Sequence, residues 1–302
     1  MKRQLYVVRA LSALHPGSGS EIGIVDLPIQ REKHTGFPKI DASSFKGAMR
    51  AAVRETAQDD AIVQNIFGSD VSGTDQPTQA GAISLSDCRL LALPVKSLNN
   101  IFVYVTCPFV LNRLQGELVY TEGDQSWIGD YQAGTVSSSE MLAMNDGLVL
   151  DEYVLDGFTT DTATTTLAQS LEQQLGLSSG FMSERFAIIS DEQFGQLCRL
   201  GMEVNARIRI NPESGTVAEG ALFYEENIPA ETLFYSFIGA TKTKRFATKV
   251  ENGYQFKEWT ATEVMEHLTD PLVLPPVFQI GGGATIGHGL IQLQPVREGV
   301  TS

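Results

Sequence analysis

The chain has 302 residues, 42% of them hydrophobic, with 22 Lys and Arg against 36 Asp and Glu, a formal net charge of −14 at pH 7. Such a chain buries a sizeable core as one elaborated domain or two lobes, which excludes a disordered tail, and its acidic balance excludes a generic nucleic-acid binder held by overall charge. Cys88, Cys107 and Cys198 are far apart and form no CxxC pair, which excludes a disulfide framework or zinc ribbon.

A reduced, cytoplasmic compartment fits those cysteines. No stretch approaches about eighteen apolar residues, so neither an export signal nor a membrane span is expected.

In chain order, Leu5–Ala10 reads as a buried strand entering a Gly-rich turn, His15-Pro-Gly-Ser-Gly-Ser20. An apolar loop with a lone acid follows, Gly23-Ile-Val-Asp-Leu-Pro28. Pro28 keeps Leu27 out of the helical region, so Asp26 is carried on extended or turning backbone and is no helix-face acid.

Ser43 is a good N-cap, and from Ser44 to about Gln58 the residues Phe45, Ala48, Met49, Ala52 and Val53 repeat at the spacing of one buried helical face. Lys46, Arg50 and Arg54 recur every four residues on another stripe, either a solvated face or a track for successive phosphates of an extended polyanion. Residues 1–54 hold nine Lys and Arg against four acids, so this segment is plus five and the remainder minus nineteen. A basic track on an acidic body is therefore open to the chain.

Gly81–Pro94 and Ile101–Val105 read as two strands joined by a turn at Leu98-Asn-Asn100. From Asn112 to about Leu177 the periodicity weakens and Asp, Glu, Ser, Thr and Gly accumulate, with one helix around Leu167, Leu171 and Leu175, as in an inserted lobe. Ser190-Asp-Glu-Gln193 is a capping box that opens a helix ending near Met202.

Val204 to Ile210 alternates, with Val204, Ala206, Ile208 and Ile210 expected inward and Arg207 and Arg209 outward. Asn211-Pro-Glu-Ser-Gly215 turns the chain toward Ala221–Tyr224, making a hairpin whose arginines face either nucleic acid or solvent. Glu225 and Glu226 point to opposite sides of that strand, so at most one reaches any shared site.

Leu233–Ile238 adds a strand, and Lys242, Lys244, Arg245 and Lys249 make a second basic cluster, read as a solvated loop unless it meets the first. Thr260-Ala-Thr-Glu263 caps a short helix that carries His267, a partly exposed structural histidine, and Asp270-Pro271 ends it. The chain closes with a strand, a Gly-rich loop (Gly281–Gly289) and a strand. Gly282 and Gly287 have P-loop spacing, but His288-Gly289 replaces the Lys and Ser/Thr and a strand follows, so no nucleotide triphosphate site is implied. The loop's glycines serve either contact with RNA or tight packing against the first helix.

Taken together, Leu14–Gly19, Gly23–Arg31, Gly36-Phe-Pro38 and Ser43-Ser-Phe-Lys-Gly-Ala-Met-Arg50 resemble the backbone RAMP subunits of type III-B CRISPR effector complexes. Arg207-Ile-Arg-Ile-Asn-Pro-Glu213, Gly220–Glu226, Pro229–Phe234 and the terminal loop match as well, and only the 112–177 region stands apart.

The resemblance implies one α+β RAMP domain over residues 1–302: a ferredoxin-like (RRM-like) palm, an inserted lobe at about 112–177, a thumb β-hairpin at about 207–226 that wedges the duplex apart, and the terminal loop at 281–289. It implies copies stacked in a filament along CRISPR RNA beside other subunits of the complex, and cleavage of the paired target RNA at regular intervals. Asp26 is then the main catalytic residue, with a divalent metal, Mg2+, that Asp26 either coordinates or leaves to others while steering the 2′-hydroxyl proton.

His15 is the nearest general-base or phosphate-contact candidate, or else a turn residue. Lys46, Arg50 and Arg54 are the expected guide contacts, joined by Ser44, Arg207, Arg209, Gly282, Gly283 and Gly287. The alternative is a non-catalytic RNA-binding scaffold in the same kind of complex.

Overall fold

A computed structural model describes residues 1–20, 23, 25–69, 80–121, 127–143, 146–208, 210, 213–217, 222–243, 246–250 and 253–296, with backbone alone for 246–250 and 253–257. The chain opens with β1 (Lys2–Ala10), β2 (Lys39–Ile40), α1 (Ala42–Ala57), α2 (Asp60–Phe67), β3 (Ile83–Leu85), β4 (Cys88–Lys96), β5 (Phe102–Thr106) and α3 (Pro108–Leu118). Its middle holds β6 (Thr135–Val136), β7 (Leu148–Leu150), β8 (Tyr153–Leu155), β9 (Thr159–Thr160), α4 (Thr162–Gln174), β10 (Phe186–Ile188) and α5 (Asp191–Leu200). The last third holds β11 (Glu203–Arg207), β12 (Phe223–Asn227), β13 (Leu233–Ala240), β14 (Phe246–Val250), β15 (Gly253–Lys257), α6 (Ala261–Thr269), β16 (Val277–Gln279) and β17 (Leu290–Pro295).

One mixed sheet runs in the order β16-β17-β1-β13-β4-β5-β10-β6-β9, with β2 on β4 and β3 on β13. Its centre is antiparallel: β1 lies between β13 and β17, and β13 bridges β1 to β4. Leu5 to Val8 are buried without alternation, as a strand covered on both faces must be. Helix α6 packs on β1 and β13, α3 on β4, and α4 on β10 and β6. Among the described residues no helix is long and apolar enough to cross a membrane.

Both capping boxes form as expected, Ser190 with Gln193 and Thr260 with Glu263, and His267 is half-buried against the Trp259 ring at 4.3 Å. Helix α1 differs at its start. It begins at Ala42 after Asp41, with no side-chain cap of its own, so Ser43 lies inside the first turn. Asp87 takes the capping role from across the sheet: its Oδ1 accepts the Ala42 N–H at 2.9 Å while Oδ2 meets Lys39 Nζ at 2.8 Å. The expected buried face is in place, with Phe45, Met49, Ala52 and Val53 covered.

Gly81–Pro94 is two strands, because Ser86 and Asp87 break the run, and β3 pairs with β13 while β4 joins β5. The expected 112 boundary falls within α3, and β6, β9 and β10 extend the main sheet. The hairpin β11–β12 stands apart from that sheet, and its faces are the reverse of the expectation. Val204, Ala206, Ile208 and Ile210 are exposed, whereas Arg207 is half-buried beside Glu225. Ion pairing with a buried carboxylate outweighs the period-2 pattern. Arg209, Lys244 and Arg245 lie outside the described residues, as does the Lys249 side chain; Lys242 is exposed.

Candidate functional site

Strand β12 is the spine on which the candidate residues assemble. The 26–29 loop runs beside it, with Leu27 bridging Glu225 in parallel, Asp26 N and Leu27 N donating to Tyr224 O at 3.1 and 3.0 Å, and Glu226 N donating to Leu27 O at 3.0 Å. The Tyr224 N–H donates to Asp26 Oδ2 at 2.7 Å. Asp26 is thus held through backbone and side chain together, half-buried, with Oδ1 unengaged among the described residues.

The preceding turn meets the other end of the strand. Leu14 and Ile228 exchange backbone hydrogen bonds, and His15 Nδ1 lies 2.7 Å from the Glu226 carbonyl. A carbonyl oxygen only accepts, so Nδ1 carries the proton, and in the neutral ring Nε2 holds the lone pair. A Cβ on Gly17 would stand 2.8 Å from that Nε2, so a side chain there would displace the imidazole.

The two glutamates diverge as expected of adjacent strand residues. Glu226 turns to the Asp26 loop, where Oε2 accepts the Ile29 N–H at 3.0 Å and Oε1 pairs with Arg31. Arg31 in turn donates to Gly36 O at 2.8 Å and Cys198 O at 3.0 Å, tying the loop to α5. Glu225 turns the other way, toward Arg207 and His288, at 3.4 and 4.0 Å.

The terminal glycine loop packs on the His15 turn, and β16, which leads into it, packs on α1. Gly282 N donates to His15 O at 3.0 Å and Gly289 N to Ala13 O at 2.8 Å, and a Cβ on Gly281 would come 2.5 Å from His15 O. Gly283 and Gly287 both adopt positive φ, 75° and 81°, and flank a single 3-10 turn. Gly282 and Gly287 are exposed, and Gly283 is half-buried.

Gln30 joins this assembly to α1: its side chain donates to Gly17 O at 3.1 Å and Ser44 Oγ at 3.3 Å and accepts the Asp41 N–H at 2.7 Å. Lys46 and Arg50 are half-buried on the following turns and Arg54 is exposed. Burial, with the positive charge of Arg50 beside it, lowers the Lys46 pKa below the ordinary lysine value. A cation destabilised in this way gains more than a solvated one from an arriving phosphate.

Among the described residues no group of three His, Cys, Asp or Glu side chains is placed to hold a metal ion. The free Asp26 Oδ1 fits a single-carboxylate ligand, since Mg2+ commonly takes one or two carboxylates and completes its shell with substrate phosphates and water. Sequence reasoning missed the work of Gln30, Asp87 and His288. Gln30 and Asp87 carry no local pattern, and His288 stood out only as a departure from a phosphate-loop motif.

The RAMP superfamily model matches residues 7–292. The chain is 36% identical over 298 residues to the CRISPR system Cmr endoribonuclease Cmr4 of Pyrococcus furiosus, covering 97% of this chain and 95% of that protein. It is 25% identical over 322 residues to the CMR subunit Cmr4 of Saccharolobus solfataricus, covering 96% and 95% of the two. Among solved structures, oligomeric Cmr4 from Pyrococcus furiosus superposes with a TM-score of 0.69 at 28% identity, over 99% of this chain and 100% of that one. A chain of the type III-B Cmr-beta complex bound to cognate target RNA shares the fold, with a TM-score of 0.74 at 19% identity over 98% of each.

Proposed function

The chain belongs to the RAMP superfamily, and within it to the Cmr4 group; from that premise we propose that it is the backbone subunit of a type III-B CRISPR ribonucleoprotein. In this reading copies of the chain stack along CRISPR RNA with other Cmr subunits, in the cytoplasm, and cleave complementary target RNA at regular intervals. The β17-β1-β13-β4 order with α1 and α6 supports a ferredoxin-like (RRM-like) palm, and the hairpin that stands off the sheet is the thumb. The 112–177 segment is read as the inserted lobe.

The observation that carries the catalytic part is the common anchorage of Asp26 and His15 on β12. Tyr224 N holds the first and Glu226 O the second. The two anchors lie two residues apart on the strand, about 7 Å. Cleavage by the RNA's own 2′-hydroxyl needs in-line geometry and a proton acceptor more than a protein nucleophile.

His15 Nε2 presents a lone pair for the 2′-hydroxyl proton. Asp26, fixed by the Tyr224 N–H, orients that hydroxyl or holds the ion through Oδ1. When bound, Mg2+ supplies positive charge against the phosphate oxygens. Lys46, Arg50, Arg54 and Ser44 line the guide track, and Arg207 and the glycine loop at Gly282, Gly283 and Gly287 contact RNA at its other side.

The test is cleavage of guide-complementary RNA by the assembled complex in Mg2+. Asp26→Asn should leave assembly by gel filtration unchanged and slow cleavage by about 100-fold or more, and chelation of Mg2+ should stop it. A non-catalytic scaffold is the second reading, favoured by the lack of an acidic metal cluster among the described residues. Unchanged cleavage by Asp26→Asn would establish it.

A further inference from the structure

His288 is the one histidine in the terminal loop, and the loop's geometry aims it at the thumb. Gly287 and Gly289 flank it at φ of 81° and 85°, His288 N donates to Gly283 O at 3.1 Å, and its carbonyl oxygen accepts from the Gln279 side chain. The imidazole is largely covered and lies between two residues of the β11–β12 hairpin. Its Nδ1 is 3.5 Å from Arg207 Nη2 and 4.0 Å from Glu225 Oε1. Glu225 is 9% exposed, and its Oε1 is buried without a hydrogen-bond partner among the described residues.

That orphan oxygen selects the tautomer. If Nδ1 accepts from Arg207, a buried carboxylate oxygen is left unpaired, at a cost greater than that of losing one long contact. If Nδ1 carries the proton, it donates to Oε1 after a shift of about 1 Å, and Arg207 keeps Oε2. The neighbouring residue on the same strand is Tyr224, whose N–H holds Asp26.

We propose that His288 is a positioning residue: its Nδ1–H docks on Glu225 and locks strand β12, and with it the Asp26 carboxylate, against the terminal glycine loop. The inference rests on the reading that Asp26 cleaves RNA.

Asparagine places its amide N–H near the position of Nδ1, and glutamine near that of Nε2, so the pair discriminates the bond from mere bulk. In the assembled complex with guide RNA, His288→Ala and His288→Gln should lose about 10- to 100-fold in single-turnover cleavage rate, with target affinity unchanged. His288→Asn should stay within about threefold of wild type. Amide hydrogen exchange across 223–227 should be at least about tenfold faster in His288→Ala and return to the wild-type rate in His288→Asn. Wild-type exchange in His288→Ala, or His288→Asn behaving as His288→Gln, overturns the proposal. Should Asp26→Asn cut at the wild-type rate, the cleavage reading fails, and the exchange measurement alone decides whether His288 locks the strand.

Discussion

At the scale of single residues, the charges that matter are those the fold leaves dissatisfied. Lys46 sits half-buried on α1 beside Arg50, and no acid among the described residues pairs with it. Lys46→Met keeps an unbranched apolar stem at this half-buried position and removes the charge. Guide RNA binding to the variant should weaken, and the slope of log affinity against log salt should fall by roughly 0.7 to 1, the signature of one lost phosphate contact. An unchanged slope would mean that Lys46 faces solvent in the complex. Arg9 shows the opposite case: it is paired with Glu231 at 2.7 Å and stacked on Phe181, so its charge is already spent inside the fold.

Among the elements, α4 shows how one carboxylate can organise a loop. Glu172 accepts the N–H groups of Gly180, Met182 and Ser183 at 3.1, 2.8 and 3.1 Å, and the Ser183 hydroxyl at 3.2 Å. Burial pushes its pKa up, but these hydrogen bonds outweigh burial and the net shift is downward. A depressed folded pKa contributes stability above the unfolded glutamate value of about 4.3, and that contribution disappears as pH falls through the folded value. Glu172→Gln should therefore cost about 1–3 kcal/mol in urea unfolding at pH 7, and the gap from wild type should narrow in acid. A gap independent of pH would show that shape, not charge, holds the loop.

For the whole molecule, the net charge of −14 and the exposed hairpin face constrain assembly together. Like-charged bodies repel, so stacking needs apolar contact or RNA between copies. The hairpin supplies an apolar face: Val204, Ile208, Leu222 and Tyr224 are each more than 40% exposed. Burying such apolar area in an assembly is favourable in proportion to the area removed from water. Ile208→Glu should leave the melting temperature of the isolated chain unchanged and weaken guide-dependent assembly at least about tenfold by sedimentation. Normal assembly would free this face for RNA alone.

Much of the molecule is legible from its residues. The strands with continuous apolar runs, the buried face of α1 and both capping boxes follow from local periodicity and side-chain chemistry, and so does the placement of Asp26 on non-helical backbone. Those features depend on neighbours within a few positions, which any reading of the chain contains. Tertiary structure alone decided the rest. Asp87 caps α1 from 45 residues away, Gln30 joins the glycine turn to that helix, and the hairpin reverses its faces because Glu225 draws Arg207 inward. Each is a contact between polar groups distant in sequence, and hydrogen-bond and ion-pair partners chosen across the fold leave no periodic trace in the chain.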